Sequence, residues 1–97
     1  MALIKVSVEE MQTAATRCRQ LADKIAECKQ ECIALNSQLQ SAWEGQSAAA
    51  FDNFVTGTAT RVLDECSQMC SETGIAITHT CNQFTEADST LSGTFRM

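Results

Sequence analysis

The feature that most constrains this chain is an unbroken run of small and apolar residues at alternating steps of three and four: Met11, Ala14, Cys18, Leu21, Ile25, Cys28, Cys32, Leu35, Leu39 and Ala42. Held for roughly four and a half heptads, that spacing forms a stripe on an α-helix and nothing coherent on a strand. The 97-residue chain contains no proline at all, so no residue type that breaks helices outright interrupts it. A helix of such length would extend about 52 Å at about 1.5 Å per residue.

Its start is marked by Ser7-Val8-Glu9-Glu10, a capping-box pattern. The Ser7 hydroxyl can accept the Glu10 amide while the Glu10 carboxylate returns to the Ser7 amide. Helix 1 is therefore expected over about 8–42, with the turn at about 43–46. Gly45 can adopt a left-handed conformation there without steric cost. Ser47 is the expected N-cap of helix 2, with Asp52 near its positive end. Helix 2, expected over about 47–86, carries a looser stripe: Phe51, Val55, Ala59, Val62, Cys66, Met69, Thr73, Ile77 and Phe84. Gly57 and Gly74 interrupt it at about 1 kcal/mol each relative to alanine, and read as local weakness. Beyond Phe84 the composition turns polar, which predicts a frayed tail to residue 97.

Two long helices joined by a few residues must run antiparallel. The expected fold is all-α, one domain over residues 1–97: an antiparallel two-helix hairpin that dimerises into a four-helix bundle. Aromatic residues are only 5% of the chain, so a single hairpin has little to bury and a second copy or a partner is needed to complete the core. The back of helix 1 (Ala15, Ala22, Ala26, Ile33) is the surface expected to be left for it.

Charge and hydropathy exclude several functions. A net charge of −5, with seven basic residues dispersed among twelve acidic ones, offers no basic stripe, so nucleic acid is not an expected partner. No apolar run approaches the roughly 20 residues that span a bilayer, and the first residues lack the pattern of a cleaved signal peptide. The lone histidine, His79, has neither a nucleophile pattern nor another histidine beside it, and no phosphate-binding loop is present. No enzyme and no cofactor are expected.

Six cysteines (Cys18, Cys28, Cys32, Cys66, Cys70, Cys81) fall on or beside the two stripes and are expected to point inward. Cys-x3-Cys in each helix suggests a double staple, Cys28 to Cys70 and Cys32 to Cys66. Those pairs need a turn at Ala49. With the turn near Glu44 they are offset by roughly 15 Å, beyond the roughly 7 Å Cα limit of a disulfide. Only Cys18 and Cys70 lie level. The alternative reading is a cysteine-lined bundle binding zinc or copper(I), which needs about four converging thiolates. Packing as small buried hydrophobes is the simpler account.

At Trp43-Glu44-Gly45 the sequence resembles the WXG100 (ESAT-6-like) family: a length near 100, a central Trp-x-Gly between two helices, and no signal peptide. The resemblance implies a helical hairpin exported through a type VII (ESX-like) secretion system, secreted or surface-located after folding in a bacterial cytoplasm. The implied partners are a second copy, a sister hairpin of the same family, the type VII secretion ATPase, and an LXG-type effector that the hairpin escorts. It also implies an export signal of an aromatic residue followed four positions later by an acid. Phe84 and Asp88 match that pattern, with phenylalanine where tyrosine is commoner. Trp43 and Gly45 would form the turn motif, with Trp43 plugging the end of the hairpin.

Overall fold

The computed structural model describes residues 7–95, with the side chains of 91, 92, 94 and 95 left out. The chain forms two antiparallel rods. The first is α1 (Val8–Ala42). The second is α2 (Gln46–Asn53), continued through a π-helical turn (Phe54–Ala59) into α3 (Thr60–Phe95). Together they make a slender hairpin with a long axis of 78 Å.

At its start α1 is capped by Ser7, whose extended backbone (φ −96°, ψ 106°) lets its hydroxyl accept the Glu10 amide at 3.3 Å. Its last residue is followed by Trp43 in an extended conformation (φ −135°, ψ 123°). Gly45 then reverses the chain at φ +113°, ψ −176°, a region open essentially to glycine alone. Gly45, and not Ser47, therefore occupies the N-cap of α2, and its carbonyl accepts the Ala49 amide at 3.1 Å. A β-carbon at Gly45 would meet nothing within 4 Å, so its requirement is purely conformational. Gly45→Ala is expected to cost about 1–3 kcal/mol, readable as a lower urea midpoint with an unchanged slope.

The register is set by cross-helix contacts along the whole length. Gln40 donates to the Ala48 carbonyl, Asn36 to Asp52, Lys29 pairs with Asp64, Ser67 donates to the Ala22 carbonyl, and Cys81 lies against the Val8 carbonyl. All follow from a reversal around Glu44.

Which side of each helix faces the other differs from expectation. The α1 seam uses Met11, Cys18, Ile25 and Cys32 from the predicted stripe. It pairs them with Ala15, Ala22, Lys29 and Asn36, and not with Ala14, Leu21, Cys28 and Leu35. Ala15 and Ala22, expected on the outer back of α1, are buried in the hairpin. Small residues win these positions because they let the rods approach closely. Opposite them Gly74 is also buried, and a β-carbon there would lie 3.0 Å from the Ala15 carbonyl oxygen and 3.2 Å from the Cys18 Cβ. Gly74 is thus a close-approach residue where local weakness was expected. Gly57 has open space around it.

On α3 the predicted stripe is one residue out of phase from Val62 to Thr73, whereas Ile77 is half-buried in step with Gly74 and Cys81. Leu63, Ser67, Cys70 and Gly74 face α1, while Val62, Cys66, Met69 and Thr73 are exposed. The π-helical turn is the cause: it inserts one extra residue and rotates everything after it by about one helical step. Thr60 shows the mechanism. Its amide bonds the Val55 carbonyl, five residues back, and its hydroxyl caps the abandoned Thr56 carbonyl at 2.9 Å.

Two further expectations are corrected. The cysteines do not all point inward: Cys81 is buried, Cys18, Cys32 and Cys70 are half-buried, and Cys28 and Cys66 are exposed. The second rod also does not end near residue 86. It remains helical to Phe95, with no proline or closing glycine to stop it before Gly93.

Candidate interaction surface

Displacing Leu21 and Leu35 from one seam and Val62 and Met69 from the other has a consequence for the surface. On both helices each displaced residue lies one step before a seam residue. Because the helices run in opposite directions, a backward step rotates the side chain toward the same side of the hairpin. Ala14, Leu21, Cys28 and Leu35 therefore share one face with Val62, Cys66 and Met69. The face is open: Leu21 is 51% exposed, Leu35 57%, Phe54 55% and Met69 66%. Such a row of large apolar side chains marks an interaction surface.

Toward the turn this face deepens into a groove of about 420 Å³, lined chiefly by Leu35, Leu39, Phe51, Phe54 and Val55. Its floor is tied together by a buried polar cluster. The Asn36 side-chain amide donates to Asp52 Oδ1 at 2.7 Å, and the Gln40 amide donates to Asn36 Oδ1 at 3.2 Å and to the Ala48 carbonyl at 3.0 Å. Asn36 is only 7% exposed, so this cluster holds α1 against α2 at a fixed register. The opposite side of the hairpin carries Arg19, Thr78, His79 and Asn82, with Ile75 among them. One face is apolar and the other mixed and polar.

The predicted site residues are placed as follows. Trp43 and Gly45 both lie in the connection between α1 and α2. The Trp43 ring rests against Phe51, with centroids 5.8 Å apart and planes inclined at 46°. It covers the end of the groove wall while remaining 37% exposed. Phe84 and Asp88 lie on α3, one helical turn apart and both exposed, on the stretch that continues past the level of Val8. The structure thus separates the turn motif from the Phe84–Asp88 pair by most of the hairpin's length. Asn36, its contact with Asp52 and the π-helical turn are not anticipated from sequence. The seven-residue series from Ala15, which turns polar at Lys29 and Asn36 after Ala22, and the low-propensity run Val55-Thr56-Gly57-Thr58-Ala59-Thr60 were the available signals.

All six cysteines are free thiols. Among the described residues, no group of three or more histidine, cysteine, aspartate or glutamate side chains is arranged to hold a metal ion. The Cys28 thiol is pushed above its ordinary range, first because its thiolate would be repelled by that of Cys32, then through slight desolvation, a hydrogen bond with Cys32 and the charge of Glu31. Among the described residues no helix is long and apolar enough to cross a membrane.

Residues 3–89 match the family described as WXG100, proteins of 100 residues with WXG. No curated protein and no solved structure gives a significant match. The matched span takes in α1, the Trp43-Glu44-Gly45 connection and nearly all of the second rod. The chain belongs to the WXG100 family, small helical-hairpin proteins associated with type VII secretion.

Proposed function

We propose that this chain acts by pairing, through its apolar face, with a second copy or a sister hairpin, and that it leaves the cell through a type VII secretion system, alone or escorting a larger LXG-type effector. The observation that carries the pairing is the exposed row of Leu21, Leu35, Phe54 and Met69 on a hairpin with little other core. Family members pair with each other in type VII secretion, which supports the same reading. The role is one of recognition and not of catalysis, and its route to the surface or medium does not use a cleaved signal peptide.

In this reading Phe84 and Asp88 form the export signal. An aromatic ring and a carboxylate at i and i+4 project from one side of a helix. Both are exposed, so a groove on the secretion ATPase can take the ring in an apolar pocket and pair the carboxylate with a base. Trp43 and Gly45 hold the turn, and the partly exposed Trp43 ring is a second point of contact with the machinery.

Export from the native host tests this assignment. Phe84→Ala and Asp88→Ala are each expected to reduce the chain in the medium by at least about tenfold, the equivalent of about 1.4 kcal/mol of recognition. Cellular levels and helix content should be unchanged, since neither side chain is buried. Normal export of both variants would remove the signal from these residues.

A further inference from the structure

The π-helical turn (Phe54–Ala59) decides which residues the second rod offers to the open face. Its extra residue sets Leu63, Ser67, Cys70 and Gly74 against α1 and leaves Val62, Cys66 and Met69 one step before them, on the apolar side. Wound as plain α-helix from Phe51, the same rod would turn by about 100° and bring Val62, Cys66, Met69 and Thr73 to α1. The residues one step before those are Arg61, Glu65, Gln68 and Glu72. The rod thus carries two phases: in one its open face is apolar, in the other polar and charged.

The local bonding permits both windings. Gln40 on the Ala48 carbonyl and Asn36 on Asp52 hold α2 to α1, so a change of winding in the turn is delivered to α3. The Thr60 amide bonds the Val55 carbonyl, and the Thr60 hydroxyl holds the Thr56 carbonyl at 2.9 Å. In an α-helix the Thr60 amide would pass to the Thr56 carbonyl and the Ala59 amide to that of Val55, so each group keeps a partner. Thr56, Thr58, Thr60 and Gly57 are poor helix formers and hold the turn weakly to either winding.

Packing sets the two forms against each other. The observed form has the close approach at Gly74 and the Ser67 hydroxyl on the Ala22 carbonyl at 2.8 Å. Rewinding gives these up, takes Ile77 and Cys81 off the seam, and separates the rods to admit Thr73. In return it buries Val62 and Met69, which stand exposed in the observed form.

We propose that the π-helical turn is a register switch for the partner-binding face. The unpaired chain exchanges between the observed form and a rewound one whose face is polar, and a second copy seated on Val62 and Met69 holds the observed form. A partner that binds one form only shifts the balance toward it. The inference rests on the reading of the chain as a pairing protein and adds the device that opens and closes its face.

The native cysteines report both events. Buried Cys81 and half-buried Cys70 face α1 in the observed form and leave it on rewinding. Cys18 and Cys28 lie on α1 and do not turn with α3: Cys18 reports loosening of the hairpin, and exposed Cys28 reports pairing. The experiment is N-ethylmaleimide labelling of the folded full chain in reductant-free buffer, resolved by peptide mass. Gly57→Ala with Thr60→Ala favours the α winding and removes the hydroxyl on the Thr56 carbonyl. This variant should label at Cys70 and Cys81 at least about tenfold faster relative to Cys18. Deleting Thr58 removes the extra residue, so a continuous α-helix keeps Ser67, Cys70 and Gly74 on α1 and Cys81 should label no faster than in the parent.

Slow Cys81 labelling in the double variant, an equal rise at Cys18, or faster Cys81 labelling on deletion of Thr58 would overturn the switch. Raising the parent from nanomolar to micromolar concentration should protect Cys28 and slow Cys81 together, and protection of Cys28 with Cys81 unchanged would also overturn it. The expected Cys81 results with Cys28 never protected would instead remove self-pairing and leave the two windings standing.

Discussion

Replacing Gly74 by valine is expected to prise α1 and α3 apart and lower stability by about 3 kcal/mol. A β-carbon at this position already stands 3.0 Å from the Ala15 carbonyl oxygen, and that oxygen belongs to backbone, which cannot swing aside as a flexible side chain would. The branches of valine would reach further, into the Cys18 Cβ at 3.2 Å and the Arg19 stem. The ordinary expectation for an exposed helical glycine is opposite in sign, since alanine gains about 1 kcal/mol of helix propensity. Gly74→Ala sets that gain against a modest clash and should come out near neutral. Gly57→Ala, at a position with open space around it, should not destabilise. The valine variant should therefore lose more than about 10 °C in thermal midpoint, with the two alanine variants close to the parent. Equal behaviour of all three would mean that the rods do not approach as closely as Gly74 indicates.

The second large effect is expected at Asn36. This residue is buried at a seam position where an apolar side chain would be the ordinary choice, and it connects α1 to Asp52 and Gln40. Asn36→Ala removes the donor that reaches Asp52 at 2.7 Å and leaves a half-buried carboxylate short of a partner. A hydrogen bond to a charged group is worth about 1.5–3 kcal/mol, so a loss of about 2 kcal/mol is expected in urea unfolding. The effect should extend beyond stability. Asn36 and Asp52 lock the two rods beside the turn, and their loss should speed amide exchange in α2 and the π-helical turn while leaving the far end of the hairpin unaffected.

The hairpin itself was legible in the sequence because several local signals agree. Ser7 with Glu10 marks a helix start, the heptad stripe carries the helix on without proline, and Gly45 supplies a backbone state that other residues resist. The phase of the contacts was not legible, for two physical reasons. On α1 the periodicity identifies a stripe broad enough for two faces, and hydrophobicity favours Leu21 and Leu35 over Ala15 and Ala22. The interior selects the smaller pair because close approach of two backbones outweighs the burial of larger side chains. On α3 the π-helical turn moves the seam by one residue, and a stripe assigned from Phe51, Val55 and Ala59 continues wrongly onto Val62, Cys66 and Met69.

Those same displacements expose what the candidate surface is made of. The residues that hydrophobic patterning assigned to the interior of a single hairpin are the ones left outside it, on one side, next to a groove at the turn. The cysteines follow the same division. Cys81, Cys18 and Cys70 belong to the contact between rods, whereas Cys28 and Cys66 belong to the open face. The exposed side of α1 with Ile33, which sequence reasoning favoured for dimer contact, lies on the opposite flank from Leu21 and Leu35.

The most direct measurement is the solution mass of the chain in reductant, compared between two charge insertions on opposite flanks of α1. The parent should have about twice the 10.5 kDa chain mass. A variant carrying Leu21→Glu and Leu35→Glu should fall to a folded, helical monomer, and Ile33→Glu should remain dimeric. A parent that stays monomeric both alone and with a sister hairpin, or a dimer that survives glutamates at Leu21 and Leu35 yet dissociates with one at Ile33, would contradict the account.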